Sequence, residues 1–396
     1  MSRILFAWEM GGNFGHVARD LPLALACRDA GHEVLFAVID LSVCSAIAKE
    51  YGLSFVQAPV PRPKPVRQDL PAVINFADLL LRNGFADREI LEASLLGWKG
   101  LFDLFKPDLM VYDFAPRALL AARLCTLPVL LLSNGFETPP KTSPLPSFRP
   151  WESIPDSALQ RAEDLLIEQI NIVLTGHGHS AVQQLWDLYA GHPLLMTCFP
   201  EFDHFGPREE ATYVGHAVHL PAARQAHFET DRPHVIVYLR STIPHVESVF
   251  AALQQVEAEV LCIVPDMPAE WLGKYHRLRF QTNPVDLQAL LLHADLMIAH
   301  GTGTLSAAVA AGVPVLMVPH VIENYLASTA LERQGLGILL RKRESIPHCL
   351  ALVQELLGNE RYRNAAQKLA ARHAGFRPEH AVQRQLEAVQ RLVRSA

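Results

Sequence analysis

Several features that would mark a specialised class of protein are scarce in this 396-residue chain. Its six cysteines are scattered, without the close pairs of a disulfide framework or a cysteine zinc site. Basic charge is not in excess either, since the formal net charge is -6. We therefore expect no nucleic-acid partner, because phosphate binding needs a concentrated basic face.

Long apolar runs are also absent. The amino-terminal run is too short for a signal peptide, and the most apolar segment, residues 118–132, is interrupted by Arg123 and Pro128. We therefore predict no transmembrane segment. The dispersed cysteines favour a reducing, cytoplasmic location.

The sequence does contain a regular alternation of short apolar runs and helix-like segments, which is typical of parallel sheets built from strand–helix–strand units. The strands predicted in the first half are Ile4–Trp8, Glu33–Ile39, Leu53–Gln57, Leu109–Tyr112 and Val129–Leu132. Those predicted in the second half are Val235–Leu239, Val260–Val264, Leu278–Gln281, Leu296–Ala299 and Val315–Val318. The pattern predicts two α/β domains of similar construction.

The boundary between the two domains is predicted within residues 218–233, a linker rich in alanine, histidine, proline and charge and without a strand pattern. The first domain then spans residues 1–217 and the second 234–375, followed by a helical tail over 376–396. Two proline-rich stretches in the first domain are predicted surface loops, either plain connections or part of an acceptor site.

The segment GGNFGHVARD follows the first predicted strand and precedes a predicted helix. Its glycines, Gly11, Gly12 and Gly15, lack the spacing of the dinucleotide fingerprint. A second interpretation makes His16 a general base, kept neutral by the helix dipole, with Asp113 at the end of a predicted strand holding its other nitrogen. The alternative, that both residues only cap and pack helices, stays open on these residues alone.

A second glycine-rich turn, His300–Thr304, lies between a predicted strand and a helix of small residues. The turn exposes backbone N–H groups, and Thr302 and Thr304 add hydroxyl donors, so the segment is suited to a diphosphate without a metal. The alternative is a tight turn that lets the helix pack closely on the sheet.

Another turn in the second domain follows its first strand and is expected to lie at the same edge of that domain. Its polar residues are Arg240, Ser241 and Thr242. The two hydroxyls are suited to phosphate, and Arg240 either adds charge for a departing diphosphate or lies on the surface.

These segments resemble the nucleotide-sugar-dependent glycosyltransferases of the GT-B fold, and in particular the UDP-glycosyltransferase and macrolide-glycosyltransferase group. The likeness is carried by GHVARDLPLALACRDAGHEVLFAV, by PDLMVYD, and by HADLMIAHGTGTLSAAVAAGVPVLMVPHVIEN. It implies two Rossmann-like domains facing across a cleft, with the acceptor bound mainly by the first domain and the donor by the second. It also implies that the C-terminal helix crosses back to the first domain.

The resemblance also implies roles for individual residues. His16 matches the catalytic base and Asp113 its partner, and acceptor contacts are expected from Gly12, Asn13 and Phe14. No metal and no cofactor is expected. The expected donor site comprises Arg240, Ser241, Thr242, Phe280, Val285, Leu287, His300, Gly301, Thr302, Gly303, Thr304, Glu323 and Asn324.

The chain departs from the family pattern at several of these positions. The glycine loop is one residue shorter than the usual H-G-G-x-G-T, Arg240 stands where a glycine is common, and Asn324 replaces a glutamine. Ala307 stands where UDP-sugar enzymes often carry a glutamate that grips both ribose hydroxyls. Because a deoxyribose lacks one of these hydroxyls, we predict a dTDP-linked donor, with a UDP-linked donor next.

The sequence thus predicts an inverting glycosyltransferase that moves a sugar from a dTDP- or UDP-sugar to a hydroxyl of a small molecule such as a natural product. It is expected to act as a monomer or a homodimer. Two alternatives are an epimerase or lipid-carrier glycosyltransferase of the same fold, and a catalytically silent protein that binds nucleotide-sugars.

Overall fold

The computed structural model describes residues 1–12, 15–60, 72–217, 225–244, 246–283, 285–341 and 345–395. The chain divides into two compact units. Within the described residues, unit 1 takes 1–200, 207–217 and 378–395, and unit 2 takes 201–206 and 225–377. Each unit contains one parallel sheet with helices, which confirms the predicted class of two α/β domains.

The sheet of unit 1 has seven strands in the order β3-β2-β1-β4-β5-β6-β7, all paired in parallel. The strands are β1 Arg3–Trp8, β2 Glu33–Val38, β3 Ser54–Gln57, β4 Leu109–Asp113, β5 Val129–Ser133, β6 Leu194–Met196 and β7 Ala211–Tyr213. The helices between them are α1 Gly15–Asp29, α2 Ser45–Tyr51, α3 Phe76–Leu80, α4 Arg88–Phe105, α5 Pro116–Leu124 and α6 Asp156–Gly176. Short 3-10 helices cover Leu41–Cys44, Leu185–Leu188 and Pro200–Phe202, and a π-helical turn covers Leu81–Phe85.

The central strands of unit 1 are apolar along almost their whole length because helices cover both faces of a parallel sheet. Every residue of β4 and β5 is buried. In the register of the sheet, Trp8 at the end of β1 lies opposite Asp113 at the end of β4, and Asp113 lies opposite Leu132 in β5. The carboxyl ends of three neighbouring strands are therefore level, and parallel sheets bind their ligands at this edge.

The sheet of unit 2 has six strands in the order β10-β9-β8-β11-β12-β13, also all parallel. They are β8 His234–Tyr238, β9 Glu259–Ile263, β10 Arg279–Gln281, β11 Leu296–Ala299, β12 Val315–Met317 and β13 Gly337–Leu339. The helices are α7 Val246–Leu253, α8 Trp271–Lys274, α9 Leu287–Leu291, α10 Thr302–Ala310, α11 Ile322–Arg333, α12 Ile346–Gly358 and α13 Glu360–Arg372. An aromatic group of Phe250, Trp271 and Tyr275 packs within the core of this unit.

The last helix, α14, covers Pro378–Ser395 and lies in unit 1, where it packs against α1, β4 and β5. No helix in the described part of the chain combines the length and apolarity needed to cross a bilayer.

Two predicted boundaries need correction. Residues 201–206, which the sequence places in the first domain, belong to unit 2, because the backbone carbonyl of Glu201 accepts from Gln334 and its carboxylate contacts His373. The described part of the predicted linker, residues 225–233, also belongs to unit 2. The backbone N–H of Glu229 tethers it there by donating to the carboxylate of Glu259. The remaining linker residues lie outside the described residues.

The ten predicted strands coincide with β1–β5 and β8–β12, with ends that differ by at most one residue. The sequence missed β6, β7 and β13. Each of these has only three residues, and each lies at or next to a sheet edge. Length alone does not explain these omissions, because β10 and β12 also have three residues and were predicted.

Candidate active site

The structure brings His16 and Asp113 into direct contact. His16 is the second residue of α1, and Asp113 is the last residue of β4. Nδ1 of His16 lies 2.8 and 3.0 Å from the two carboxylate oxygens of Asp113. Asp113 is fully buried, whereas the His16 side chain keeps 13% of its surface exposed. The carboxylate therefore fixes Nδ1 as the protonated nitrogen and leaves Nε2 for other chemistry.

Gly11 lies against this remaining nitrogen. Its φ is +87°, in the region that favours glycine, and a Cβ built on it would stand 2.5 Å from Nε2 of His16. On the ring faces, the indole of Trp8 stacks at 5.0 Å between centroids, and Phe114 lies at 6.3 Å. The first glycine of GGNFGHVARD therefore provides space for the imidazole.

Two charged residues that the sequence reading missed lie behind this pair. The guanidinium of Arg19 donates from Nη2 to Asp113 and from Nη1 to Glu137, the latter at 2.6 Å. The side chain of Glu137 is 1% exposed and accepts from the hydroxyl of Ser133 at 2.9 Å and from the backbone N–H of Asn134 at 2.7 Å. A buried chain of contacts thus runs from His16 through Asp113 and Arg19 to Glu137.

The charges of these residues depend on one another. Burial would raise the pKa of Glu137, but Arg19 and His16 more than offset this and hold that pKa at about 2. Burial and the neighbouring Asp113 raise the pKa of Asp20 well above its usual range. Nε of Arg19 lies 3.7 Å from Oδ1 of Asp20, which brings this carboxyl into the same group.

The protonation of His16 corrects one expectation. Burial would lower the pKa of His16, but the charge of Asp113 and its hydrogen bond outweigh burial and raise that pKa above 6.5. The sequence predicts that the helix dipole keeps the His16 ring neutral. This prediction is wrong, because the carboxylate of Asp113 has the larger effect on the pKa of His16. The carboxylate at 2.8 Å is a full charge in direct contact, while the helix end carries about half a charge.

Ligand atoms of His16, Asp113 and Glu137 lie within 4.8 Å of one another, a spacing that a metal ion would require. The guanidinium of Arg19 already contacts both carboxylates. It supplies between them the positive charge that a metal would bring.

The other residues expected around the acceptor are only partly described. Gly12 is exposed, and a Cβ built on it would meet no atom within 4 Å. Asn13 and Phe14 lie outside the described residues. Buried aromatic rings next to the pair form a continuous apolar group, in which Phe114, Phe136 and Phe148 follow one another at 5.8 and 5.1 Å.

In unit 2, the glycine turn lies at the carboxyl end of β11, and α10 begins within it. Gly301 is the N-cap residue, and Thr302, Gly303 and Thr304 form the first turn of the helix. Their N–H groups have no carbonyl acceptor within the helix, and the helix dipole adds partial positive charge. The arrangement is that of an anion-binding helix start.

Three basic or titratable side chains, His300, His320 and Arg240, follow the carboxyl ends of β11, β12 and β8. Nδ1 of His300 lies 3.3 Å from the backbone carbonyl of Tyr238, and burial and His320 lower the pKa of His300 to about 4. The rings of His300 and His320 meet edge to face at 5.2 Å. The charge of Arg240 also lowers the pKa of both histidines. The sequence reading missed His320.

The expected sugar-binding pair lies in the first turn of α11. The hydroxyl of Thr302 is 3.4 Å from Oε1 of Glu323, so the starts of α10 and α11 lie together. Asn324 is 6% exposed, and its Oδ1 has no hydrogen-bond partner within the described part of the chain. This buried acceptor is open to a partner from outside the described residues, such as a ligand or a water.

Other expected donor contacts have partners inside the protein. The N–H and the hydroxyl of Ser241 both donate to Asp266, at 3.0 and 2.9 Å, so Ser241 must exchange these bonds to reach a phosphate. Thr242 lies in the same turn. The ring of Phe280 packs 5.9 Å from Phe250 in the core, which accounts for this aromatic residue. Val285 is buried and Leu287 begins α9, so only their backbone is suited to a base edge.

Known proteins resemble this chain in sequence and in structure. Residues 247–389 match the family model of the erythromycin biosynthesis protein CIII-like C-terminal domain. A PGL/p-HBAD biosynthesis glycosyltransferase of Mycobacterium tuberculosis is 26% identical over 410 residues, which cover 96% of this chain and 91% of the relative.

Solved glycosyltransferase structures match almost the whole length. The calicheamicin glycosyltransferase CalG4 has a TM-score of 0.74 at 20% identity and covers 99% of this chain and 98% of its own. The Streptomyces sp. SF2575 glycosyltransferase SsfS6, complexed with thymidine diphosphate, has a TM-score of 0.64 at 19% identity and covers 97% of this chain and 99% of its own.

These structural matches establish that the protein has the GT-B fold, as the resemblance in sequence predicts. The curated relatives are glycosyltransferases, and the family model that matches the C-terminal part of the chain is that of an erythromycin biosynthesis protein. The chain is thus similar in sequence and in fold to GT-B glycosyltransferases of the natural-product type.

Proposed function

We propose that this glycosyltransferase transfers a sugar from a dTDP- or UDP-linked donor to a hydroxyl of a small natural-product acceptor, with inversion and without a metal. The observation that carries this proposal is the contact of 2.8 Å between His16 and Asp113. It leaves Nε2 of a partly exposed imidazole as the only nitrogen that can accept a proton.

His16 acts as the general base. Its Nδ1–H donates to Asp113, and the lone pair of Nε2 takes the proton of the acceptor hydroxyl as the oxygen attacks the anomeric carbon. The imidazolium that forms is stabilised by the carboxylate. Because the oxygen attacks on the side opposite the diphosphate, the anomeric configuration inverts.

The diphosphate binds at the start of α10. N–H groups of the first helical turn and the hydroxyls of Thr302 and Thr304 meet the negative charge that develops on the leaving group. Arg240, whose charge lowers the pKa of both His300 and His320, adds a full positive charge. Metal independence is supported by this set of donors and by the guanidinium of Arg19 in unit 1.

The dTDP preference is supported by Ala307, whose methyl group offers no acceptor to a ribose hydroxyl. The relative SsfS6 has been crystallised with thymidine diphosphate. A small apolar acceptor is supported by the aromatic rings next to His16, and two of the relatives are named for calicheamicin and for PGL/p-HBAD biosynthesis.

The proposal is tested first by calorimetry with dTDP, UDP, GDP and NAD in the presence of EDTA. We expect dTDP to bind tightest and UDP next. Thr304→Ala should weaken dTDP binding about 10-fold, as expected for one lost hydrogen bond to a charged group. The exposed Thr142→Ala in unit 1 is the matched control and should change nothing.

Turnover is then measured with dTDP- and UDP-glucose and a panel of phenolic and macrocyclic alcohols. A glycoside of inverted anomeric configuration supports the proposal. Conversion of the donor to its epimer without an acceptor would indicate an epimerase instead. Tight donor binding with no glycoside from any acceptor would indicate a silent binding protein, and a response to NAD alone would overturn the donor assignment.

A further inference from the structure

Arg19 is an unusual residue to find behind a catalytic pair. Its side chain is 6% exposed and its guanidinium bridges Asp113 and Glu137. We propose that Arg19 is a positioning residue: anchored by Glu137, it fixes the Asp113 carboxylate against His16 and offsets part of its charge. This inference rests on the proposed role of His16 as the base.

The position of Arg19 follows from the helix. His16 and Arg19 are three residues apart in α1, so both side chains leave the same face of the helix. That face lies over the level ends of β4 and β5, which carry Asp113 and the loop with Glu137. The contact set is thus built by one helix face and two neighbouring strand ends.

The outer end of this contact set is held in place by the loop after β5. The hydroxyl of Tyr112 donates to the backbone carbonyl of Glu137 at 2.6 Å. The buried guanidinium of Arg208 donates to the carbonyl of Thr138 at 2.9 Å and to the carbonyl of Gly135. Because these bonds fix the loop, they also fix the carboxylate that orients Arg19.

The charges explain what Arg19 does to the base. Arg19 brings one positive charge to this group, and Asp113 and Glu137 bring negative charge. Asp113 and Glu137 favour the imidazolium, whereas Arg19 opposes it. Without Arg19, His16 would hold its proton more tightly, and a smaller fraction of the enzyme would carry a free base at a given pH.

Three variants separate charge from geometry. Arg19→Met should move the acidic limb of the kcat–pH profile to higher pH, and Glu137→Gln should move it to lower pH. The double variant should return the limb close to its wild-type position, because the two charges act in opposite directions on His16. Shifts of opposite sign cannot arise from partial unfolding.

The rate provides a second readout. Arg19→Lys keeps the charge but cannot bridge both carboxylates with one planar group. We expect the acidic limb of the kcat–pH profile to stay close to that of the wild type. The value of kcat itself should fall by up to about 100-fold, as for a catalytic group displaced by about 1 Å. Donor affinity, which unit 2 supplies, should be unchanged in every variant.

Arg117→Met is the matched control. Arg117 is 2% exposed, lies in unit 1 and also pairs with a buried carboxylate, that of Glu9 at 3.1 Å. Its loss removes a buried ion pair without touching His16 or Asp113. The acidic limb should keep its wild-type midpoint, even where stability falls.

The decisive measurement is the titration of His16 by NMR in protein with labelled histidine, with the signal assigned from its loss in His16→Ala. An upward shift of the midpoint in Arg19→Met together with a downward shift in Glu137→Gln supports the inference. Unchanged midpoints in both variants would overturn it. This titration needs no substrate, so it stands apart from the proposed function, which instead fails if His16→Ala keeps full turnover.

Discussion

Replacing Gly11 by alanine should disable the base with little effect on the rest of the protein. The new Cβ would stand 2.5 Å from Nε2 of His16, whereas ordinary contact begins near 3.4 Å. The imidazole must therefore retreat by about 0.9 Å, while Asp113 holds its Nδ1 at 2.8 Å. A displacement of about 1 Å in a catalytic group costs up to about 100-fold in rate.

The backbone adds a smaller penalty. Alanine at a φ of +87° is strained, at a cost of about 1–2 kcal/mol. The variant should therefore remain folded with a modest fall in the free energy of unfolding. We expect kcat to fall by up to about 100-fold and the dissociation constant for dTDP to stay at its wild-type value.

Gly15→Ala is the control for this experiment. Gly15 is the first residue of α1, and a Cβ built on it meets no atom within 4 Å. Kinetics of both variants are compared with urea unfolding and with dTDP calorimetry. A Gly11→Ala enzyme with the kcat of the wild type would refute the inference that this glycine exists to make room for the imidazole.

Three further predictions concern the base and the sheet of unit 2. Asp113→Asn should lower kcat by about 10⁴-fold, because an amide favours the wrong tautomer of His16. Steady-state kinetics measure this loss, and the affinity for dTDP should not change. Because Asp113 raises the pKa of His16, kcat should rise with pH along an acidic limb whose midpoint lies above pH 6.5. A midpoint below pH 6.5 in the measured pH profile would contradict the structure. Gly337→Ala should lower the free energy of unfolding by about 1–3 kcal/mol in urea titrations without altering the midpoint of the pH profile, because its Cβ would lie 1.9 Å from the carbonyl oxygen of Val315.

The central strands and the contact between His16 and Asp113 were predictable for the same reason. Strands such as β4 and β5 are buried on both faces, so they read as apolar runs whose ends are marked by polar residues. The rule that parallel strands present ligands at their carboxyl ends then brings His16 and Asp113 together. The short outer strands β6, β7 and β13 were not predicted, although β10 and β12, which were predicted, also have three residues.

The residues behind the pair were not predictable by the same reasoning. Arg19 and Glu137 are charged, and a charged residue in a sequence is normally placed at the surface. They are buried only because each neutralises the other and Asp113 shares the same guanidinium. The one available signal for Arg19 was its spacing of three residues from His16, which places both side chains on one face of a helix. This spacing indicates a contact with Asp113 only once it is known which helix face lies over the strand ends.

The same limit applies to the proposed donor site. The glycine turn was visible as a break between an apolar strand and a small-residue helix, and the structure places it at the start of α10. His320 was not visible, because nothing in its local sequence indicates that β12 ends beside β11. Phe280 was assigned by residue type, and its ring packs on Phe250 in the core.

The most direct test of the account is the turnover of His16→Ala at a pH above the acidic limb, measured together with dTDP affinity. His177→Ala, which changes an exposed histidine of the same unit, is the control. We predict that His16→Ala loses about 10²–10⁴-fold in kcat and binds dTDP as the wild type does. Turnover within a few-fold of the wild type would show that His16 is not the base, and an equal loss of donor binding would show that its role is structural.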